Sequence, residues 1–234
     1  MIKAIIFDLD NTLIDFMRLK KSSIDAAVTA MISAGLKMSK DEATKALFEL
    51  YNTYGIEYQE IFQRFLEKTN KAVDYRILAA GIVAYRKLQS GLLEPYPKVM
   101  HTLMKLKEKG LKLAILSDAP RLKAWIRLTE MRLADFFDVV IAFEDTGKTK
   151  PSREPFIKVL KELGMGAGEC VMVGDWPERD VRGAKAAGIM TVFARYGATK
   201  DIKDSGADYE INGIEEVLGV VELLAAEVKA EKLK

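Results

Sequence analysis

From about residue 95 onward, short runs of β-branched and other apolar residues alternate with stretches in which apolar positions recur every three or four residues. Such alternation is the pattern of a parallel sheet covered on both faces by helices. The predicted strands are Lys112–Leu116, Val139–Ala142, Glu169–Val173 and Met190–Ala194, with a weaker one at Tyr209–Ile211. Intervening helices include Lys98–Lys109, closed by Gly110, and Pro155–Leu163, closed by Gly164, glycine being the residue that most readily takes the left-handed turn ending a helix. One further strand stands far upstream, in the run Ala4-Ile5-Ile6-Phe7.

The pattern differs between residues 16 and 91, where only helical periodicity is found. Ile24, Ala27, Val28 and Met31 mark one apolar stripe, and Ala43, Ala46, Leu47, Leu50, Tyr51 and Tyr54 a second. Ile61, Phe62, Phe65 and Leu66 give a third helix; Ile77, Gly81, Ala84 and Leu88 give a fourth. Ser39 with Glu42 forms a capping box at the start of the second. The predicted organisation is an α/β core with a Rossmann-like parallel sheet, residues 1–15 and 92–234, interrupted by a helical-bundle cap domain, residues 16–91. A domain inserted just after the first strand is expected to serve as a lid over the carboxyl ends of the strands, with Phe16, Arg18, Tyr51, Tyr54 and Tyr58 as leaving-group contacts.

Composition narrows the class. The chain has 234 residues, 49% of them hydrophobic, enough to bury a sizeable core. Its 36 basic and 34 acidic residues nearly cancel, which argues against a nucleic-acid protein working through a basic field. The N-terminus has no signal-peptide pattern and no apolar run approaches membrane-spanning length, so no membrane partner and a cytoplasmic location are expected. The lone Cys170 reads as a core strand residue, and the lone His101 as a structural or exposed helix residue, which leaves a Ser-His-Asp mechanism without support. Trp176 is expected to pack in the core. The stretch Ala225–Lys234, with Glu227, Lys229, Glu231, Lys232 and Lys234, reads as a solvated helix end.

The chemistry concentrates where strands stop. Asp8 and Asp10 end the first run, and in an extended segment side chains two apart share a face. Two carboxylates held that way repel unless a cation, a proton or a donor stands between them, a poor way to stabilise a fold and a good way to hold Mg²⁺. Later strands run into Ser117-Asp118, Lys148-Thr149-Lys150-Pro151 and Gly174-Asp175, followed by Asp180. A parallel sheet gathers all of these at one edge. They are the parts of phosphoryl transfer through an acyl-phosphate. A phosphate ester nearing a carboxylate nucleophile meets repulsion of about 4 kcal/mol per unit-charge pair at ~4 Å and an effective dielectric of ~20. Mg²⁺ on Asp8 and Asp175, the Lys150 cation and donors at Ser117 would offset it.

In order, Asp8-x-Asp10-x-Thr12, Ser117 at a strand end, Lys150-Pro151 and Gly174-Asp175 with Asp180 resemble the four motifs of the haloacid dehalogenase superfamily, whose members are mostly phosphatases. The resemblance runs from Met1 to about Ala194, and the helical insertion resembles the family's cap in position and class. It implies a HAD-like fold and a Mg²⁺-dependent hydrolase of a small phosphorylated metabolite. By position, Asp8 is implied as the nucleophile and a metal ligand, and Asp10 as the general acid and base, with its backbone carbonyl on the metal. Ser117, Asp118 and Lys150 are implied in phosphate binding, Asp118 through its backbone amide. Asp175 is implied as the carboxylate metal ligand, with Asp180 near the metal through water or orienting Lys150. One departure stands out: Pro155 follows Pro151 after three residues, where the family's usual second proline comes two residues after the first.

Each assignment has a plainer alternative. Ser117 can be a helix cap before Ala119-Pro120, Asp180 a helix-start acid, and Thr12 a turn residue. Lys148 competes with Lys150, although the extended geometry forced on a residue before proline suits a side chain aimed at a site. At the level of function, a phosphomutase of the β-phosphoglucomutase type would share every core residue, and a phosphate-binding homologue without turnover is a further alternative. Asp10 argues against a true dehalogenase, which attacks carbon and needs no second acid there. A signalling receiver domain carries its phosphoacceptor on a later strand and needs no insertion. The natural substrate and the oligomeric state are not encoded in any of these motifs.

Overall fold

The protein is described by a computed structural model covering residues 1–70 and 72–231. Six strands form one parallel sheet: β1 (Ala4–Phe7), β2 (Lys112–Leu116), β3 (Val139–Ile141), β4 (Cys170–Gly174), β5 (Met190–Ala194) and β6 (Tyr209–Ile211). Their spatial order is β3-β2-β1-β4-β5-β6. The chain therefore leaves β1 toward one side, through β2 and β3, and returns to its other side with β4. That reversal creates a topological switch point at β1, where open α/β sheets bind ligands beyond the strand ends.

Every residue of β1 is fully buried, as expected of a central strand covered on both faces. Alternation does the rest. Ala4 and Ile6, with Ala114, Leu116, Cys170 and Met172 of the neighbouring strands, face a core completed by Phe156, Val159 and Leu163 of α7 (Arg153–Leu163) and by Ala184 of α8 (Arg182–Ala186). Beside β2, α5 (Val99–Glu108) packs together with α9 (Val217–Glu231). The register pairs Phe7 with Ile115 of β2 and with Val173 of β4, so both neighbours run one residue past the end of β1. Cys170 is buried in β4 and His101 is exposed on α5, as their sequence contexts predict. Trp176 departs from expectation: it is 40% exposed, with the Arg179 guanidinium 4.1 Å from its ring centroid, because the chain turns outward into a short π-helical segment at Pro177–Val181.

The helical part forms a second compact unit, Phe16–Leu93, while Met1–Asp15 joins the chain from Glu94 onward. It contains α1 (Phe16–Ser33), α2 (Lys40–Tyr54), α3 (Ile61–Asn70) and α4 (Tyr75–Leu92). The Ser39–Glu42 capping box forms reciprocally at the start of α2. Ile24, Ala27, Val28, Met31, Ala43, Leu47, Phe65, Leu66 and Ile77 build its own core. Tyr54, placed on the apolar stripe by periodicity, is instead 49% exposed and stacks on Tyr58 at 4.9 Å, since it lies in the last turn of α2. Phe16 and Tyr51 are buried. No helix among the described residues is long and apolar enough to cross a membrane. The side chains of Lys229, Glu231, Lys232 and Lys234 lie outside the described residues.

Because Phe65 is fully buried in the helical unit, its truncation removes an aromatic anchor and leaves a cavity. Phe65→Ala is expected to cost about 3–5 kcal/mol, read as a lowered midpoint in chemical denaturation of the full chain.

Candidate active site

The site begins where β1 runs out. Asp8 is the first residue beyond the strand, 7% exposed, its backbone N–H still donating to the Val173 carbonyl of β4 at 2.9 Å. The chain then turns sharply: Asn11 takes a left-handed conformation with φ 62°, accessible to asparagine, and its N–H donates to the Ile14 carbonyl at 2.7 Å. Gly197 lies against this turn. A Cβ built on Gly197 would stand 1.7 Å from the Asn11 carbonyl oxygen, so only glycine permits the approach. The Tyr196 hydroxyl, from the same segment after β5, donates to the Thr12 carbonyl at 2.7 Å.

Thr12 does more than shape the turn. Its hydroxyl lies 3.2 Å from Asp8 Oδ2 and 3.3 Å from Asp175 Oδ1 and has one proton to share between the two carboxylates. Asp175 follows β4 directly and is 6% exposed. Gly174 before it is required for a different reason: a Cβ there would fall 2.4 Å from the Asp180 side chain. Asp180, 1% exposed, accepts from the Trp176 N–H at 3.0 Å with Oδ2 and pairs its Oδ1 with Lys150 at 2.7 Å.

Lys150 is the lysine that reaches this cluster, whereas Lys148 is exposed. Its buried ammonium pairs with Asp8 and Asp180 and donates to the Leu116 carbonyl of β2 at 2.9 Å. Its backbone N–H donates to Asp118 Oδ1 at 2.8 Å, and Asp118 Oδ2 accepts from Arg179 at 3.1 Å. The Asp118 carboxylate thus braces the Lys150 backbone and Arg179, contacts that the sequence reading, centred on its backbone amide, did not supply. Ser117 is buried at the end of β2, and its hydroxyl accepts from the Ala119 N–H at 3.1 Å. Asp10 goes elsewhere: its Oδ2 meets Nη1 of Arg127 on α6 (Arg121–Glu130) at 2.7 Å. The repulsion expected between Asp8 and Asp10 is therefore met by two separate cations. Arg127 was not singled out from sequence. The signal available was an arginine between Ala124 and Leu128 on the apolar stripe of its helix.

Oxygens of Asp8, Asp175 and Asp180 all lie within 4.8 Å of one another. Lys150 pairs with two of these three buried carboxylates, Asp8 and Asp180; with all three ionised, the acids and the ammonium together carry a formal charge of −2, which a divalent cation would balance. Burial raises the pKa of Asp8 most, opposed by Lys150 and reinforced by Asp180 and Asp10; burial raises that of Asp175, reinforced by Asp8 and Asp180. For Lys150, burial works downward but is outweighed by Asp180 and Asp8, with Asp118 adding, so its pKa lies above the ordinary lysine range. Hard oxygen donors crowded until they resist ionisation fit a hard cation.

A parallel α/β fold with a carboxylate–lysine centre at its switch point suits phosphoryl chemistry, and the comparisons with known proteins give the class. Residues 2–188 match the model of the haloacid dehalogenase-like hydrolases. Two curated relatives are named glyceraldehyde 3-phosphate phosphatase: that of Methanocaldococcus jannaschii is 37% identical, over 96% of this chain and 99% of the relative, and that of Methanopyrus kandleri is 36% identical over the same shares. A crystal structure of a HAD phosphatase from Thermococcus onnurineus superposes with a TM-score of 0.69 at 28% identity, covering 94% of this chain and 98% of that one. The chain belongs to the haloacid dehalogenase-like hydrolase family and is a phosphatase of that family.

A carboxylate whose pKa is higher folded than unfolded contributes stability in its protonated form, which is lost as pH rises through the folded value. Without divalent cation, thermal stability is expected to fall as pH climbs from about 4, the ordinary carboxylate value, through about 7 for Asp8 and about 9 for Asp175. Added Mg²⁺ should restore stability more at pH 9 than at pH 5 in parallel melts with EDTA and with Mg²⁺. Gly197→Ala should lower activity and melting temperature together by displacing the Asn11 turn.

Proposed function

We propose that this phosphatase hydrolyses a small phosphomonoester by a two-step, Mg²⁺-dependent route through a phosphoaspartate on Asp8. The observation that carries this reading is the meeting of Asp8 with Lys150, Thr12 and Asp175 at the end of β1. Asp8 and Asp175, with the Asp10 backbone carbonyl, would hold Mg²⁺, which when bound supplies positive charge against the incoming phosphate.

In the first step an Asp8 oxygen attacks phosphorus and the bond from phosphorus to the leaving oxygen breaks, Asp10 giving that oxygen a proton. In the second, Asp10 takes a proton from water, the water oxygen attacks the phosphoaspartate phosphorus, and the bond to Asp8 breaks, releasing inorganic phosphate. Lys150, already charged and fixed by Asp180, holds a phosphate oxygen beside the nucleophile; Ser117 holds another. Asp180 acts by holding Lys150 in place. The two relatives named above suggest a triose phosphate such as glyceraldehyde 3-phosphate as the substrate class.

Purified protein should release phosphate from glyceraldehyde 3-phosphate in a screen of small alkyl phosphates and should lose that activity on chelation. Asp8→Asn should reduce kcat to background while the protein still melts cooperatively. A variant retaining near wild-type turnover would remove Asp8 from the role of nucleophile.

A further inference from the structure

The helix α6 distributes its side chains against the usual economy of burial. It leaves Leu122 70%, Trp125 40% and Ile126 44% exposed, yet it buries Arg127 to 4% exposure between the fully buried Ala124 and Leu128. A buried guanidinium is a poor stabilising device, since apolar residues of similar volume serve packing as well or better. What it does have is a partner of chemical interest: Arg127 Nη1 lies 2.7 Å from Asp10 Oδ2. The arginine side chain is 5% exposed and the Asp10 side chain 23%, so the cation anchors the carboxylate from the protein side while the carboxylate remains partly open.

The backbone around Asp10 is fixed by the Asn11 N–H bond to Ile14 and the Leu13 N–H bond to Leu9, at 2.7 and 2.9 Å. Backbone fixing leaves the direction of the carboxylate to be set by side-chain contacts. A proton donor must lie within hydrogen-bond reach of the leaving oxygen, and small misplacements are costly in rate. We propose that Arg127 is the positioning residue that orients the Asp10 carboxylate for proton transfer to the leaving group. The proposal rests on the assignment of Asp10 as general acid made above. It makes Arg127, on the helix that follows β2, part of the catalytic apparatus without contact to the phosphate.

Leaving groups distinguish this role from a merely structural one. p-Nitrophenolate departs without a proton, whereas an alkoxide needs one. Steady-state kinetics of the full chain with p-nitrophenyl phosphate and with glyceraldehyde 3-phosphate, or glycerol 3-phosphate if turned over faster, should show Arg127→Met losing at least about tenfold more kcat/KM on the alkyl ester, the parameter that covers only the steps through phosphoaspartate formation and so leaves out the part Asp10 plays toward water. Arg127→Lys should recover part of the loss, and where Arg127→Met fails to fold, Arg127→Lys carries the same comparison. Asp10→Asn should show the same dependence on leaving group, and adding Arg127→Met to it should change little further. Equal losses on both esters, or losses that multiply in the double variant, overturn the proposal. If Asp10→Asn itself treats both esters alike, the acid assignment fails; if Asp10→Asn discriminates and Arg127→Met does not, only the positioning role fails.

Discussion

The burial of the Lys150 ammonium is the constraint on which the rest of the site depends. Taking a lysine out of water costs several kcal/mol and is tolerated only where close, well-directed partners compensate. Here the partners come from three separate parts of the core: Asp8 after β1, the Leu116 carbonyl at the end of β2 and Asp180 after β4. One cation thereby ties together the ends of the three central strands. It also keeps an otherwise repulsive group of acids compact, and burial first, with the neighbouring acids adding, holds the pKa values of Asp8 and Asp175 above the ordinary carboxylate range.

Charge around this centre is organised as local pairs. Asp118 is matched by Arg179 and Asp10 by Arg127, whereas Asp8 and Asp180 share Lys150 and Asp175 meets the Thr12 hydroxyl. The surplus of negative charge is therefore confined to one place, where oxygen donors are crowded and a hydroxyl can serve only one acid at a time. Local electrostatics suit this place to a divalent cation. The glycines that allow the crowding are specific: Gly174 makes room for Asp180, and Gly197 lets a distant loop close on the Asn11 turn.

The helical unit has a different logic. Its core is apolar and self-contained, but Lys20 is buried within it, 4.2 Å from the Tyr51 ring centroid and 5.4 Å from that of Tyr85. An amine on aromatic faces keeps its charge at lower cost than in a purely aliphatic setting. Burial raises the pKa of Tyr51, keeping the phenol neutral beside it. Tyr51, which periodicity placed on the apolar stripe, therefore uses its ring both for packing and for holding a charge.

Much of the fold was legible in order along the chain, because strand and helix periodicity are local. Lys112–Leu116, Met190–Ala194 and Tyr209–Ile211 form strands with the bounds expected, and the predicted strand at Glu169–Val173 is displaced by one residue. That Asp8, Lys150 and Asp175 meet was foreseeable because each directly follows a strand or precedes a proline, signals carried by neighbouring residues, whereas the Ser117 hydroxyl is engaged by the Ala119 N–H. Arg127, the carboxylate contacts of Asp118 and the exposure of Trp176 were not foreseeable, since each depends on a partner or a turn that adjacent sequence does not specify. Asp10 shows the division most clearly. Its spacing from Asp8 announced an electrostatic problem, but only the approach of α6 decided which cation answers it, because Coulomb attraction acts through space while sequence pattern reports only the face on which a residue starts.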